Sequence, residues 1–347
     1  MSSETASQGR WHSDLTEALA NMRTTWKVLY ALLAGWILLT IAVYRDLFFT
    51  QVINGLVFGM TLVMIALGLA LILGLMGVIN FAHGWFFMLG GYLSYAVVVQ
   101  SGMSIWVALL VVPIAVGLFG AVMERFLLRR LYGTEPINGL LLTFGVALML
   151  EEVIRYTWGA SPLAYPAEIL GRPISLGITS VAGIRIFTAT VGILAVIASY
   201  LLIVRTDFGL SIRAGVQDAE MTELVGENLP IKFTALFFFG SLLAGLAGVL
   251  RGAATGINPG MGGQFIIIAF VVIVVGGMGS FFGSVVGGLL IGQSMLLAPI
   301  MFKTLAIYTG LPWLGLQGVR RVIPFIVMIV VLLDRPRGLF GQEGFLE

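Results

Sequence analysis

The chain of 347 residues has no cysteine and little charge, and each shortage excludes a class of protein. Without cysteine there is no disulfide framework, no thiolate catalysis and no cysteine-ligated metal. Charged residues make up 10% of the chain, whereas a soluble domain carries about 25%. So little charge cannot cover a water-facing surface, which excludes an ordinary soluble enzyme. The apolar content of 59% also excludes an intrinsically disordered chain.

Lysine and histidine are scarce too, and their positions exclude further kinds of site. The lysines are Lys27, Lys232 and Lys303, and none of them follows a glycine. A P-loop ends in Gly-Lys, so the chain has no such loop and cannot hydrolyse ATP itself. His12 and His83 are far apart and no HExxH motif is present, so we expect neither a metal site nor an enzyme. A net charge of +2 without a basic cluster gives no footprint for nucleic acid.

Long stretches without charge predict helices that cross a membrane. There are 77 uncharged residues between Asp46 and Glu124, and 51 between Arg251 and Lys303. About 20 apolar residues cross a bilayer as a helix, and runs such as 69–73 lack the alternation of barrel strands. We therefore predict an all-α polytopic membrane protein with about ten transmembrane helices, or at least about eight. The predicted spans are 28–44, 51–73, 78–99, 104–123, 137–158, 184–204, 231–252, 264–277, 281–300 and 319–333.

The distribution of arginine predicts the orientation of the chain. Cytosolic loops carry an excess of Lys and Arg, and two groups fall on the same predicted side: Arg125, Arg129 and Arg130, and Arg335 and Arg337. Both termini are then expected in the cytosol. The predicted division of the chain is a polar cytosolic tail (1–27), a transmembrane domain (28–341) and a C-terminal tail (342–347).

The segment 205–230 is the longest polar loop on the predicted cytosolic side. Within it, residues 213–225 have the spacing of a short helix, since Met221 and Leu224 fall on one face. Gly226 suits the end of that helix. A stiff cytosolic helix joined to two membrane helices could carry force from a soluble partner, and a passive connecting loop is the alternative.

Five motifs, in order along the chain, resemble the inner-membrane permeases for branched-chain amino acids. They are Asn80-Phe81-Ala82-His83-Gly84, Gly209-Leu210-Ser211-Ile212-Arg213-Ala214 followed by Asp218 and Gly226, Ala244-Gly245-Leu246-Ala247-Gly248-Val249-Leu250, Gly276-Gly277-Met278-Gly279-Ser280 followed by Gly283, and Arg335-Pro336-Arg337-Gly338-Leu339-Phe340-Gly341. The resemblance runs from about Gln51 to Gly341, and the order of the motifs is more specific than any one of them.

The resemblance implies the H-type permease subunit of an ABC importer, a multi-pass protein of the bacterial inner membrane that pairs with a second, related permease. Two cytosolic ATPases would hold ATP and Mg²⁺, a periplasmic solute-binding protein would deliver the solute, and this chain would bind no cofactor. A branched-chain or related amino acid would cross by ATP-driven alternating access; urea, short amides and aromatic acids are alternatives within the family. The residues implied to couple to the ATPases are Arg213, Asp218, Glu220, Met221, Leu224 and Gly226.

Polar residues within the predicted spans are candidates for the path of the solute. Asn54 and Thr61 are seven residues apart on one helix face, which is predicted to border the path, although a polar packing seam has the same spacing. His83 could instead make a helix-end hydrogen bond near Asn80. The candidates are Asn54, Thr61, Asn80, His83, Tyr92, Asn258 and Gln264.

Acidic residues bear on the alternatives to an importer. Glu151 and Glu152 lie four and three residues before Arg155, so both can pair with it on a helix; the other interpretation of this group is a role in solute access. A self-contained secondary transporter needs acidic residues inside its spans, and the two long uncharged stretches contain none. An intramembrane enzyme would need an acid beside His83, and the sequence offers none nearby.

Overall fold

The computed structural model describes residues 4–164, 174–175, 180–311, 315 and 318–341, with backbone alone for 4–32, 175, 180 and 219. The predicted tail at 342–347 lies outside the described residues. The helices are α1 (Glu4–Met76), α2 (His83–Tyr95), α3 (Ile105–Phe126), α4 (Pro136–Trp158), α5 (Gly183–Arg205), α6 (Asp207–Gln217), α7 (Ala219–Leu224), α8 (Leu229–Thr255), α9 (Met261–Gly276), α10 (Phe281–Thr309) and α11 (Val319–Asp334). A small antiparallel hairpin of β1 (Ile174–Ser175) and β2 (Ser180–Val181) is added to the predicted all-α fold.

Six helices of the described chain are long and apolar enough to cross a bilayer. They are the Leu33–Met76 part of α1, Ile105–Leu131 including α3, and α4, α5, α8 and α10. Helices α2, α9 and α11 are shorter. The predicted spans 137–158 and 184–204 match α4 and α5 to within one residue at each end. The chain is therefore a multi-pass membrane protein.

The first two predicted spans, 28–44 and 51–73, are not separated by a loop. Both belong to α1, whose only non-helical backbone is at Tyr44, with φ −131° and ψ 49°. Arg45 and Asp46 suggested a loop because they are charged. The segment has no glycine or proline to end a helix, so its two helical arms meet directly at this one residue.

Helix α1 bends at Tyr44. Trp36 Nε1 donates to the carbonyl oxygen of Met301 at 2.7 Å, and Lys303 Nζ lies 5.4 Å from the centroid of the Tyr44 ring. Trp36 and Tyr44 would be about 12 Å apart along a straight helix, yet both contact one turn of α10. The arm of α1 before Tyr44 therefore does not continue along the axis of the arm after it.

The predicted span 78–99 is helical only from His83, because residues 77–82 form an irregular approach to α2. Thr143 of α4 supplies hydrogen bonds to this approach. Its hydroxyl accepts from the backbone N–H of Phe81 at 3.1 Å and lies 3.4 Å from the carbonyl oxygen of Ile79. Irregular backbone at membrane depth is tolerated where protein partners of this kind cover it.

Helices α1 and α10 pack backbone to backbone through glycine. A Cβ on Gly292 of α10 would lie 2.4 Å from the Cα of Gly59 on α1, and a Cβ on Gly288 would lie 3.0 Å from the backbone nitrogen of Val63. Small residues allow this close approach in lipid, where packing, more than the hydrophobic effect, holds helices together. Any larger side chain at Gly292 must push the two helices apart.

We predict that Gly292→Val lowers the melting temperature of the detergent-solubilised protein, because the new side chain collides with the backbone of α1. Overpacking of this kind costs about 1–3 kcal/mol. Gly145→Val is the matched control, since a Cβ on this exposed glycine of α4 meets nothing within 4 Å. Size-exclusion profiles after heating measure both; equal melting temperatures would contradict the packing argument.

Candidate translocation path and coupling surface

The polar segment between α5 and α8 forms two helices, so the prediction of one helix at 213–225 is wrong. Helix α6 ends at Gln217 and α7 begins at Ala219. Asp218 separates them: its backbone is extended, and its Oδ1 accepts from the backbone N–H of Met221 at 2.9 Å. Aspartate favours this capping position over a helix interior. Gly226, with φ of +94°, follows α7 as predicted.

The tip of this segment presents three apolar side chains beside one acidic one, which together we call the coupling surface: Met221, Leu224, Val225 and Glu220. Met221 is 58% exposed, Leu224 74% and Val225 73%. Neighbouring exposed apolar residues on an otherwise polar segment are typical of a surface that docks another protein. Glu220, Met221 and Leu224 were predicted to face a partner, and the structure places all three here.

Arg213, another predicted coupling residue, lies away from the coupling surface. It is partly buried, and its guanidinium donates to the carbonyl oxygen of Ile203 in the last turn of α5. This contact holds α6 against the end of α5, which gives Arg213 a local structural role.

An ion pair at the start of α8, between Glu227 and Lys232, is hydrogen-bonded to Ser211 of α6. Lys232 Nζ lies 2.7 Å from Glu227 Oε2 and donates to the hydroxyl of Ser211 at 2.8 Å, while that hydroxyl donates to Glu227 Oε1 at 2.9 Å. The Lys232 ammonium and the Ser211 hydroxyl lower the pKa of the Glu227 carboxyl. Glu227 therefore stays ionised, and α6 and α8 are held together.

A buried carboxylate anchors the first turn of α8 to α3. Glu124 has no exposed surface; Arg129 pairs with it at 3.3 Å, Tyr132 donates to it at 2.8 Å and Thr234 at 2.5 Å. Arg129 also donates to the carbonyl oxygen of Pro230 at 2.7 Å. Burial and the Glu124 charge raise the pKa of the Tyr132 hydroxyl, which remains a donor. The start of α8 is thus fixed on two sides.

Two neighbouring cavities lie at the opposite end of the bundle. Helix α5 ends and α8 begins at the coupling segment, whereas Arg185 is near the start of α5 and Arg251 near the end of α8. The outer cavity, of about 190 Å³, is lined by Asn54, Thr61 and these arginines among others. A second cavity, of about 250 Å³, shares Arg251 with it.

These cavities bring four of the predicted path residues together. Asn54 and Thr61 line the outer cavity, and Asn258 and Gln264 line the second. Asn54 Oδ1 accepts a hydrogen bond from Arg185. Asn54 and Thr61, which were predicted to share one helix face, therefore line the same cavity. The role of this cavity in transport stays a prediction.

The other three path candidates lie inside the bundle. Asn80, His83 and Tyr92 have no exposed surface. The side chain of His83 bonds the carbonyl oxygen of Ile65 on α1 at 3.0 Å, rather than Asn80. Neither side-chain polar atom of Asn80 has a partner among the described residues. None of these three residues lines either of the two cavities.

Three arginines of the outer cavity were missed by the sequence analysis. Arg185, Arg251 and Arg320 come from α5, α8 and α11 and line the same space. The three arginines are far apart in the sequence, so no local motif predicts that they meet. Their one available signal is position, since each lies near a helix end.

The predicted ion pair on α4 is present. Arg155 lies 2.5 Å from Glu151 and 3.8 Å from Glu152. Trp85 Nε1 also donates to Glu151 at 3.0 Å, which ties α4 to α2. Within the described part of the chain, no group of three His, Asp or Glu side chains is placed to hold a metal ion.

Comparison with known proteins assigns the chain to a family. The model of the family described as "Branched-chain amino acid transport system / permease component" matches residues 51–332. The branched-chain amino acid permease protein BraD of Pseudomonas aeruginosa is 31% identical over 306 residues, covering 84% of this chain and 95% of the relative. LivH of Escherichia coli K12 is 29% identical, covering 85% and 96%. The probable LivH of Methanocaldococcus jannaschii is 29% identical, covering 86% and 95%. No solved structure matches.

We predict that Glu124→Gln destabilises the protein, because Arg129 then lies partly buried without a carboxylate. The expected cost is about 1–3 kcal/mol, seen as a lower melting temperature in detergent. Glu152→Gln is the control: it makes the same chemical change at an exposed ion pair, which is worth below about 1 kcal/mol. An unaltered melting temperature for Glu124→Gln would show that the buried network is not important for stability.

Proposed function

This chain belongs to the family of branched-chain amino acid transport permeases, and on that premise we propose that it is a membrane subunit of an ATP-driven importer. It would pair with a second permease in the bacterial inner membrane. Two ATPases would bind at the coupling end, and a solute-binding protein would deliver the solute at the other. The solute proposed is a branched-chain amino acid, since the named relatives are permeases for that class.

The observation that carries the proposal is the coupling surface together with its attachment to α8. Its exposed apolar side chains fit a docking role. The Glu227–Lys232 pair and the Glu124 network fix the start of α8 on both sides. A push on α7 would therefore reach α8 directly. We propose that closure of the ATPases tilts α8 in this way and exposes the path alternately to each side.

We propose ten crossings for the membrane domain. From the arm of α1 after Tyr44 through α2, α3, α4, α5, α8, α9, α10 and α11, nine helices run alternately toward and away from the coupling end. The arm of α1 before Tyr44 would be the tenth. The bend at Tyr44 supports this count, because it would let the arm before Tyr44 turn back toward the coupling end. Both termini then lie in the cytosol with the coupling segment.

The absence of cysteine permits a direct test of this topology. We expect a cysteine placed at Ser13 in the polar tail, like one at Glu220 on the coupling surface, to be labelled by a membrane-impermeant maleimide only after the inner membrane is opened. A cysteine at Leu311, after α10, is the control for the periplasmic side and should react in intact spheroplasts. Labelling of the Ser13 position in intact spheroplasts would mean nine crossings.

Affinity purification tests the importer itself. In gentle detergent, the tagged chain should co-purify with two P-loop ATPases and a second hydrophobic permease, identified by mass spectrometry. We expect Leu224→Asp to lower the recovery of the ATPases about tenfold, because a charge replaces a central apolar contact. The second permease should still be recovered.

Leu311→Asp is the matched control, since it makes the same change at an exposed leucine on the far side of the membrane. It should leave recovery of the ATPases unchanged. If the wild-type chain is recovered alone and transports leucine in liposomes without ATPases, the importer proposal is wrong and a secondary transporter takes its place.

A further inference from the structure

The outer cavity holds an excess of positive charge. Arg185, Arg251 and Arg320 line it, and no carboxylate of the described residues lies within salt-bridge distance of any of them. Arg185 and Arg320 are near enough for their charges to repel that of Arg251. Three cations at the end of a membrane bundle are costly to keep together without an anion.

Aromatic rings hold two of these guanidinium groups in place. The guanidinium carbon of Arg251 lies 5.2 Å from the ring centroid of Phe58 and 5.7 Å from that of Phe265, and that of Arg320 lies 5.6 Å from Phe58. Cation–π contacts of this length orient a guanidinium, but they leave its N–H donors without acceptors. Of the three cavity arginines, only Arg185 has a hydrogen-bond acceptor among the described residues, which is Asn54 Oδ1. The donors of the other two remain available to a ligand in the cavity.

We propose that the arginine cluster of Arg185, Arg251 and Arg320 binds the carboxylate of the transported solute. A carboxylate is planar and accepts paired hydrogen bonds from a guanidinium, and it would neutralise part of the cluster's charge. This inference rests on the proposed function and narrows it, because it requires a carboxylate and thereby disfavours urea and short amides, two of the three alternatives within the family.

The second cavity fits the rest of such a solute. Arg251 lines both cavities, so a carboxylate held there reaches the border between them. Beyond it lie the apolar side chains of Leu163, Ile257, Met261 and Phe265. An aliphatic side chain would pack against them, while the amides of Asn258 and Gln264 lie in the same cavity to meet a polar group. The ligand class is therefore a small aliphatic amino acid with a free carboxylate.

The test uses the assembled complex in nanodiscs without the solute-binding protein, and measures melting temperature against added leucine or leucinamide. We expect leucine to stabilise the wild type and leucinamide, which lacks the carboxylate, to bind at least about tenfold more weakly. Arg251→Met should weaken leucine binding by a similar factor, and Arg251→Lys by less. Without ligand, Arg251→Met should melt no lower than the wild type, because it relieves repulsion within the cluster.

Arg321→Met is the matched control: this neighbouring arginine does not line the outer cavity, and its loss should leave leucine binding unchanged. Uptake of leucine into proteoliposomes with the complete system separates the two proposals. Uptake by the wild type together with an undiminished leucine response in Arg251→Met would overturn the carboxylate site and keep the importer. Loss of uptake in Arg251→Met with unchanged leucine stabilisation would instead assign the cluster to docking of the binding protein. A wild type that neither takes up leucine nor is stabilised by it would refute the proposed import of branched-chain amino acids.

Discussion

Helices α1 and α10 touch through their backbones, and the arrangement of the other helices depends on this contact. In lipid, an apolar side chain gains little free energy by moving from the lipid into a helix interface. Helices therefore associate where their backbones can approach closely. Gly59 and Gly292 remove the side chains that would prevent it. The arm of α1 after Tyr44 is then surrounded, with residues 62–69 almost wholly buried. A helix held this tightly moves as one body.

The same rigidity relates the two ends of the molecule. Asn54 and Thr61 of α1 line the outer cavity, while Gly74, near the other end of α1, meets Gly279 beside α10. Helix α8 connects the ends a second time, since it runs from the anchored Leu229 to Arg251, about 33 Å away along the axis. In the proposed importer, a small displacement at the coupling surface would therefore reach the arginine cluster without passing through a flexible loop.

Much of this fold could be predicted from sequence, because span boundaries follow charge, glycine and proline. That is why α4 and α5 were placed to within one residue. The bend at Tyr44 and the irregular approach to α2 could not be predicted in this way. Arg45 and Asp46 are compatible with either a loop or a helix, and so is the stretch 77–82, in which Asn80 is the one polar residue. The break at Asp218 could have been predicted, because aspartate favours the capping position of a helix. The helical spacing of the apolar residues around it instead favoured one continuous helix.

The arrangement of charge explains why part of the site escaped prediction. At the coupling end, Arg129 and Lys232 have carboxylate partners within a few residues of sequence, so a local pattern could reveal them. At the far end, the arginines lie on three helices and meet only through tertiary packing. A chain with few charges that leaves three cations together beside a cavity gains no stability from them. Their placement is understandable if an anion joins them from outside the chain. In the proposed importer, the far end would then receive the solute and the coupling end would transmit the motion of the ATPases.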